Sequence, residues 1–243
     1  GLSVRKRILR LLPPASARNR SIMRHAHGHL FVPALALSVA FALTAIPTTV
    51  SAQANGHAHI GHVADAFRGT PDEMGLLPTA MAEAAIAAQH AGFAANSADN
   101  LDMAKRHMGH VLHALDPAEA EAGPGKGYGV KAAAAGVARH IELAAAAEQA
   151  SDALKTHATH IATSAHNTVT RVDQMIALAK QIQAATSAAD AAPMIHELAA
   201  LGEQLVTGHD ANGDGRVGWQ EGEGGLAASE THPGLLKRAE GMD

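Results

Sequence analysis

From about residue 70 onward the chain repeats one pattern, with apolar residues three and four positions apart and polar residues between them. That spacing lines one face of an α-helix. It predicts a first helix over 72–94, on which Leu77, Met81, Ala84, Ala88 and Ala91 share a face. A second opens near Ser97 or Asp99, either of which suits an N-cap, carries Leu101, Ala104, Met108, Val111 and Leu115, and stops at Pro117. After the glycine-rich linker GPGKGYGV (123–130) the rhythm resumes over 131–186 through Val137, Ile141, Leu154, Ile161, Val172 and Ile176. One helix of that length would be far beyond the usual, so a break is expected near Ser151-Asp152. A last helix is predicted over 188–206, with Ile195, Leu198, Leu201 and Leu205 on one side. The pattern therefore predicts an all-α fold, a bundle of four or five helices.

Composition narrows the kind of bundle. Aromatic residues are only 2% of the 243 residues, so the core must be built from alanine and aliphatic side chains. Alanine seams let helices approach closely but bury little apolar area per residue, so modest stability and a material contribution from bound ligands are expected. No cysteine occurs. That excludes disulfides, thiolate metal sites, iron–sulfur clusters and covalent haem attachment.

Charge divides the chain. Up to Ala52 there are seven basic and no acidic residues; beyond it twelve basic residues face 23 acidic ones, an excess of eleven negative charges with His neutral. An acidic body suits cations and argues against nucleic acid as a partner. The basic part contains MRHAHGHLFVPALALSVAFALTAIPTTVSAQA, with a short positive start, an apolar run over 30–46 and Val50-Ser51-Ala52 as a small-residue cleavage site. This is the pattern of a secretory signal peptide over 23–52, after a basic leader or upstream extension over 1–22. Cleavage would start the processed chain near Gln53 or Asn55, leave no stable membrane anchor and place the protein outside the cytoplasm, in the periplasm. The stretch over 53–71, with NGHAHIGH, is expected to be a flexible, His-bearing lead into a bundle over 72–206.

The segment over 207–243 holds the clearest motif. Asp210, Asn212 and Asp214 stand at the first, third and fifth places of a twelve-residue window, Gly215 at the sixth, Val217 at the eighth and Glu221 at the twelfth. Alternate oxygen side chains, the Arg216 carbonyl and a bidentate Glu221 would satisfy a hard cation such as Ca²⁺. This segment resembles the EF-hand family loop at all six positions. The resemblance implies Ca²⁺ held by Asp210, Asn212, Asp214, Arg216 and Glu221. Gly222, Gly224 and Gly225 stand where the family continues into a helix, and no second loop occurs. A lone structural ion fastening the tail to the bundle is therefore expected, rather than a swinging sensor. Dimerisation through Val217 would supply a second hand.

Histidines form the second candidate. Fourteen lie beyond the signal segment. His107, His110 and His113 follow at steps of three, as do His157 and His160, and residues three apart on a helix are neighbours. Such pairs can hold Cu²⁺, Ni²⁺ or Zn²⁺ through imidazole nitrogen, with His90 and His140 on flanking helices available to complete a site. His57, His59 and His62 form a separate cluster in the lead-in. The first reading of the chain is an exported calcium-binding protein; the alternative is a periplasmic transition-metal binding or buffering protein. No enzymatic activity is expected. Glu-x-x-His pairs of the di-iron type do not occur, His196-Glu197 has Ala200 where a zinc-protease helix needs its second histidine, and GPGKGYG lies between helices, not after a strand.

Overall fold

A computed structural model of the protein describes residues 49–242, with side chains from Ala54 onward. The basic leader and all but the last residues of the signal segment lie outside the described residues. Among those described, eight α-helices form an all-α fold without strands: α1 (Thr49–Ala64), α2 (Leu76–Ala95), α3 (Leu101–Leu115), α4 (Val130–Ala145), α5 (Asp152–Ala184), α6 (Ala188–Thr207), α7 (Leu226–Glu230) and α8 (His232–Ala239). None is long and apolar enough to cross a membrane.

The five helices expected from periodicity are α2 to α6. Their ends follow local chemistry. The Asn100 side chain accepts the Met103 N–H (3.0 Å) at the start of α3, and Ser187 accepts the Asp190 N–H (3.1 Å) at the start of α6. The break in the long stretch falls where expected, with Ser151 accepting the Leu154 N–H (3.0 Å) at the start of α5. The first bundle helix begins at Leu76, not near Asp72: Asp72 and Glu73 adopt positive φ (56° and 53°) in a short turn. Pro78 explains the shift. From Leu76 it falls in the first turn, where no N–H is needed, whereas a start at Asp72 would place it in the interior and remove a hydrogen bond.

The lead-in is the larger departure. Instead of a flexible stretch, residues 49–64 form α1, which packs mainly on α4. Its Asn and Gly residues lower helix propensity, but Ile60 and Val63 are both fully buried, and packing outweighs propensity.

Two buried charges organise the loops that carry the sites. Glu83, fully buried on α2, accepts backbone N–H groups of Lys126 (3.0 Å), Tyr128 (2.9 Å) and Gly129 (3.0 Å), which pins the glycine linker between α3 and α4. Arg171, buried on α5, donates to the carbonyls of Gly222 (2.8 Å), Glu223 (2.7 Å) and Gly224 (2.9 Å). One turn earlier, Asn167 Nδ2 donates to the Gln220 carbonyl (2.8 Å) and Oδ1 accepts the Gly222 N–H (2.8 Å). Residues 220–224 are thereby fixed along α5. α7 and α8 then lie back over the bundle, with Leu226 and Leu236 in the core.

Candidate metal centres

Nine histidines converge in three groups of three, each with its nitrogens within 4.8 Å of one another: His59, His62 and His140; His90, His107 and His110; His157, His160 and His232. Each group obeys one rule. A pair three residues apart on one helix (α1, α3 or α5) meets a single histidine from a neighbouring helix (α4, α2 or α8). Consecutive turns of a helix stack such a pair on one face, so the third ring needs only to reach across one helix contact.

The nitrogen spacing has a chemical meaning. His140 Nδ1 lies 2.9 Å from His59 Nδ1 and 3.3 Å from His62 Nδ1. His90 Nδ1 lies 3.2 Å from both His107 Nδ1 and His110 Nδ1. An imidazole nitrogen has one in-plane lone pair or one proton, so it can make one good hydrogen bond there, not two. A shared cation satisfies all three lone pairs. Two nitrogens bound at about 2.0–2.1 Å to one metal stand about 3.3 Å apart at a tetrahedral angle and about 2.9 Å apart at a right angle. The third centre repeats the theme: His157 Nδ1 lies 2.9 Å from His232 Nδ1, while His160 Nδ1 is buried without any hydrogen-bond partner.

Each centre also has an aromatic wall. Phe67 lies edge-on to His62 and His140 (ring centroids 5.3 and 5.1 Å), Phe93 stands beside His90 and His107 (5.4 and 5.5 Å), and Trp219 stacks on His160 (4.2 Å, 23° between planes). In so aromatic-poor a chain, this use of two Phe and the single Trp is selective. An apolar wall limits water on one side of the centre and lowers the local dielectric.

The electrostatics favour neutral, ligand-ready rings. Burial lowers the pKa of His59, His90, His107, His140, His160 and His232 from the ordinary histidine value, and neighbouring rings of the same triad lower each further. Arg106 adds to the effect on His107, and Arg139 to that on His140. Metal competes with protons for these nitrogens, so a depressed pKa widens the range in which a cation can bind.

Of the histidines singled out by spacing, His107, His110, His157 and His160 are in the triads, and His90 completes one. His113 is not: its Nδ1 lies 3.2 Å from the Ala120 carbonyl, and the linker closes over it so tightly that a Cβ on Gly123 would stand 2.6 Å from the His113 Cβ. His59 and His62 join a built centre instead of a mobile cluster. His232 carries no spacing signal of its own and joins the third triad from α8, a helix not expected from periodicity. His57 lies apart, 3.8 Å from the Glu240 carboxylate.

The acidic loop folds as a tight turn with Gly215 at φ 81°. Asp210 accepts the N–H groups of Gly213 (2.7 Å), Asp214 (3.1 Å) and Gly215 (2.8 Å), Asn212 Oδ1 accepts that of Asp214 (2.8 Å), and Asp214 accepts that of Arg216 (2.9 Å). Glu221 departs from expectation. It is exposed and lines a groove of about 480 Å³ with His166, Asn167, Arg171 and His209, and no three carboxylates among the described residues come within 4.8 Å. Glu223 turns inward instead, buried, accepting the Gly218 N–H (2.9 Å) and an Asn212 Nδ2 proton (2.5 Å). The cause is the glycine run: Gly222 at φ 82° turns the chain away, and no helix starts before Leu226.

The chain matches no protein-family profile, no curated protein and no solved structure.

Proposed function

We propose that this protein binds transition-metal cations, one at each histidine triad, and serves as an exported metal buffer or carrier. The observation that carries the reading is the shared Nδ1 of His140, and equally of His90, which faces two other nitrogens at 2.9–3.3 Å where one hydrogen bond is all it can make. An all-nitrogen donor set suits Zn²⁺, Cu²⁺ and Ni²⁺. Calorimetric titration with each metal, paired with elemental analysis of the loaded protein, should give three equivalents per chain. A stoichiometry unaffected by loss of the triad histidines would remove the reading. Export is supported by the signal-like segment over 23–52, and mass spectrometry of the secreted protein should find an N-terminus near Gln53 or Asn55.

A second reading assigns the acidic loop a structural Ca²⁺. Its support is the row of Asp210, Asn212 and Asp214 oxygens along one turn, with the inward Glu223 carboxylate in place of Glu221. Calcium uptake should then fall in Asp210→Asn and Glu223→Gln and be little changed in Glu221→Gln. Absence of uptake by the native protein would dismiss it.

A further inference from the structure

The triads lie in an acidic body, with 23 acidic against twelve basic residues beyond Ala52, yet they exclude acidic side chains. Each is built from three imidazoles, and no Asp or Glu joins any of them among the described residues. The histidine–carboxylate pairs among those residues, His166 with Glu142 (2.9 Å) and His57 with Glu240 (3.8 Å), both fall outside the triads. A ligating histidine ordinarily turns its second nitrogen to a carboxylate, a carbonyl or a water, and a carboxylate there offsets the charge of the metal. Here no triad nitrogen bonds a carboxylate or a carbonyl, and the close polar contacts of the triad rings run from ring to ring.

The fixed charges that do act on the centres are positive. Arg139 stands beside His140 in sequence and Arg106 beside His107, and each lowers the pKa of its neighbour. Phe67, Phe93 and Trp219 cover one side of the three centres with apolar rings. A cation held there keeps its full charge among uncharged donors, in partly desolvated surroundings. The cost of desolvating an ion rises with the square of its charge, so it is about fourfold greater for a divalent than for a monovalent ion of the same size. Repulsion from a nearby guanidinium is about twofold greater. The donor count points the same way. Zn²⁺ in closed sites takes four protein ligands, whereas a monovalent d¹⁰ ion is satisfied by three nitrogens.

We infer that the triads select the monovalent ion Cu⁺ over Zn²⁺ and other divalent ions, through the absence of negative charge at the centres. Specificity is a difference of affinities, and here it comes as much from what the centres withhold from a divalent competitor as from what they give Cu⁺. Binding replaces the water or chelator on the ion with three neutral imidazole nitrogens; the ion stays monovalent and no proton moves. This inference rests on the metal-binding reading above and narrows its cargo.

A competition decides it. The protein is equilibrated without oxygen, in ascorbate, with Cu⁺ and an excess of Zn²⁺, then desalted and analysed for both metals. It should retain three equivalents of copper, one per triad, and no zinc. Ag⁺, which needs no reductant, should displace Zn²⁺ in the same way in air. Arg106→Gln and Arg139→Gln, both at exposed positions, each remove a positive charge beside one centre. At low salt, where Cu⁺ affinity at that centre rises about twofold, Zn²⁺ affinity should rise about fourfold, because the repulsion scales with the charge of the ion. Zinc retained in the competition, or an arginine variant in which Zn²⁺ gains no more than Cu⁺, would each overturn the inference while leaving metal binding intact. Failure of both ions to bind, or full retention of copper by a variant carrying His90→Ala, His140→Ala and His232→Ala, would overturn the metal-binding reading with it.

Discussion

Replacing His140 with alanine removes the only ligand that α4 contributes to the first centre and leaves His59 and His62 on α1. A control is available in His113→Ala, whose ring meets the Ala120 carbonyl and no other histidine. The triads occupy different helix pairs and share no residue, so their effects on stability should add. At free metal about one hundred times the dissociation constant, each site stabilises the fold by about 2.7 kcal/mol, so three contribute about 8 kcal/mol. For a domain of this size, about 1 kcal/mol moves the midpoint by about 2–4 °C, so saturating Zn²⁺ should raise the native melting temperature by about 15–30 °C. His140→Ala should lose about one third of that rise and one equivalent of metal. Without metal its midpoint should move by no more than about 1 kcal/mol allows, because a half-buried ring in a crowded cluster makes one hydrogen bond at best. His113→Ala should keep the full metal-induced rise. Thermal melts with and without Zn²⁺, read beside calorimetric stoichiometry, decide it. An unchanged increment in His140→Ala, or a lost equivalent in His113→Ala, would refute the assignment of ligands.

The metal-free protein should respond to acid in a defined direction. The six triad histidines with lowered pKa values bind protons less readily than in the unfolded chain, where the value is about 6.5. Their stabilising effect is therefore full above about pH 6.5 and is lost as pH falls through the folded values; chemical denaturation at a series of pH values should show this slope, and a flat profile would contradict it. Arg171→Met leaves the carbonyls of Gly222, Glu223 and Gly224 without their donor. It should cost about 1–3 kcal/mol and weaken metal binding at the third centre ahead of the other two, since Trp219 and His232 stand on either side of the residues that Arg171 holds. Glu83→Ala should destabilise the linker by a similar about 1–3 kcal/mol, visible as faster hydrogen exchange at Lys126, Tyr128 and Gly129, with metal stoichiometry unchanged.

Much of the bundle could be read from the sequence, because α2 to α6 bury their own periodic stripes and Ser151 marks the one break. The lead-in is not legible because α1 depends on partners: Gly56 and Asn55 speak against a helix, and the surface on which it buries Ile60 and Val63 comes mainly from α4, with α2 and α8 beside it. The centres were half legible for the same reason. Spacing by three is a local property, so the pairs His107/His110 and His157/His160 are visible in the sequence, and His59/His62 carry the same signal in a segment whose composition speaks against a helix. Which histidine completes each pair is a tertiary property. His113 has the same spacing as its neighbours and yet turns to the linker, while His232 reaches its place on a segment that follows residues 220–224, which Arg171 and Asn167 lay along α5. In the acidic loop the family pattern expects a turn at its sixth position and a helix after its twelfth. Gly222 has a positive φ where that helix would begin, α7 starts only at Leu226, and the carboxylate that turns inward is that of Glu223.

The placement of the centres follows from how little an alanine core can hold. Among the described side chains α1 buries Ile60 and Val63 as its larger apolar residues, and α8 buries Leu236 and Pro233. Each such aliphatic side chain contributes about 1.5–3 kcal/mol, while ordering the backbone costs about 1–2 kcal/mol per residue, so neither terminal helix is firmly held by burial alone. Polar contacts tie the two helices to each other and to the bundle, with Lys237 paired to Asp65 and Ser151 bonded to Glu240, but these are worth little where exposed. The first and third triads sit across these two weak attachments, joining α1 to α4 and α8 to α5. On the metal-binding reading, a cation there does more than occupy a site, since it cross-links segments more than seventy residues apart in sequence. The second triad instead bridges α2 and α3, consecutive helices whose ligands lie 17 and 20 residues apart. Its ligands need only one short turn to meet, so it should load first and release metal with the least change in fold, whereas loading of the other two should tighten protection of α1 and α8 against hydrogen exchange. Equal protection of those helices in metal-free and loaded protein would separate binding from any such fastening.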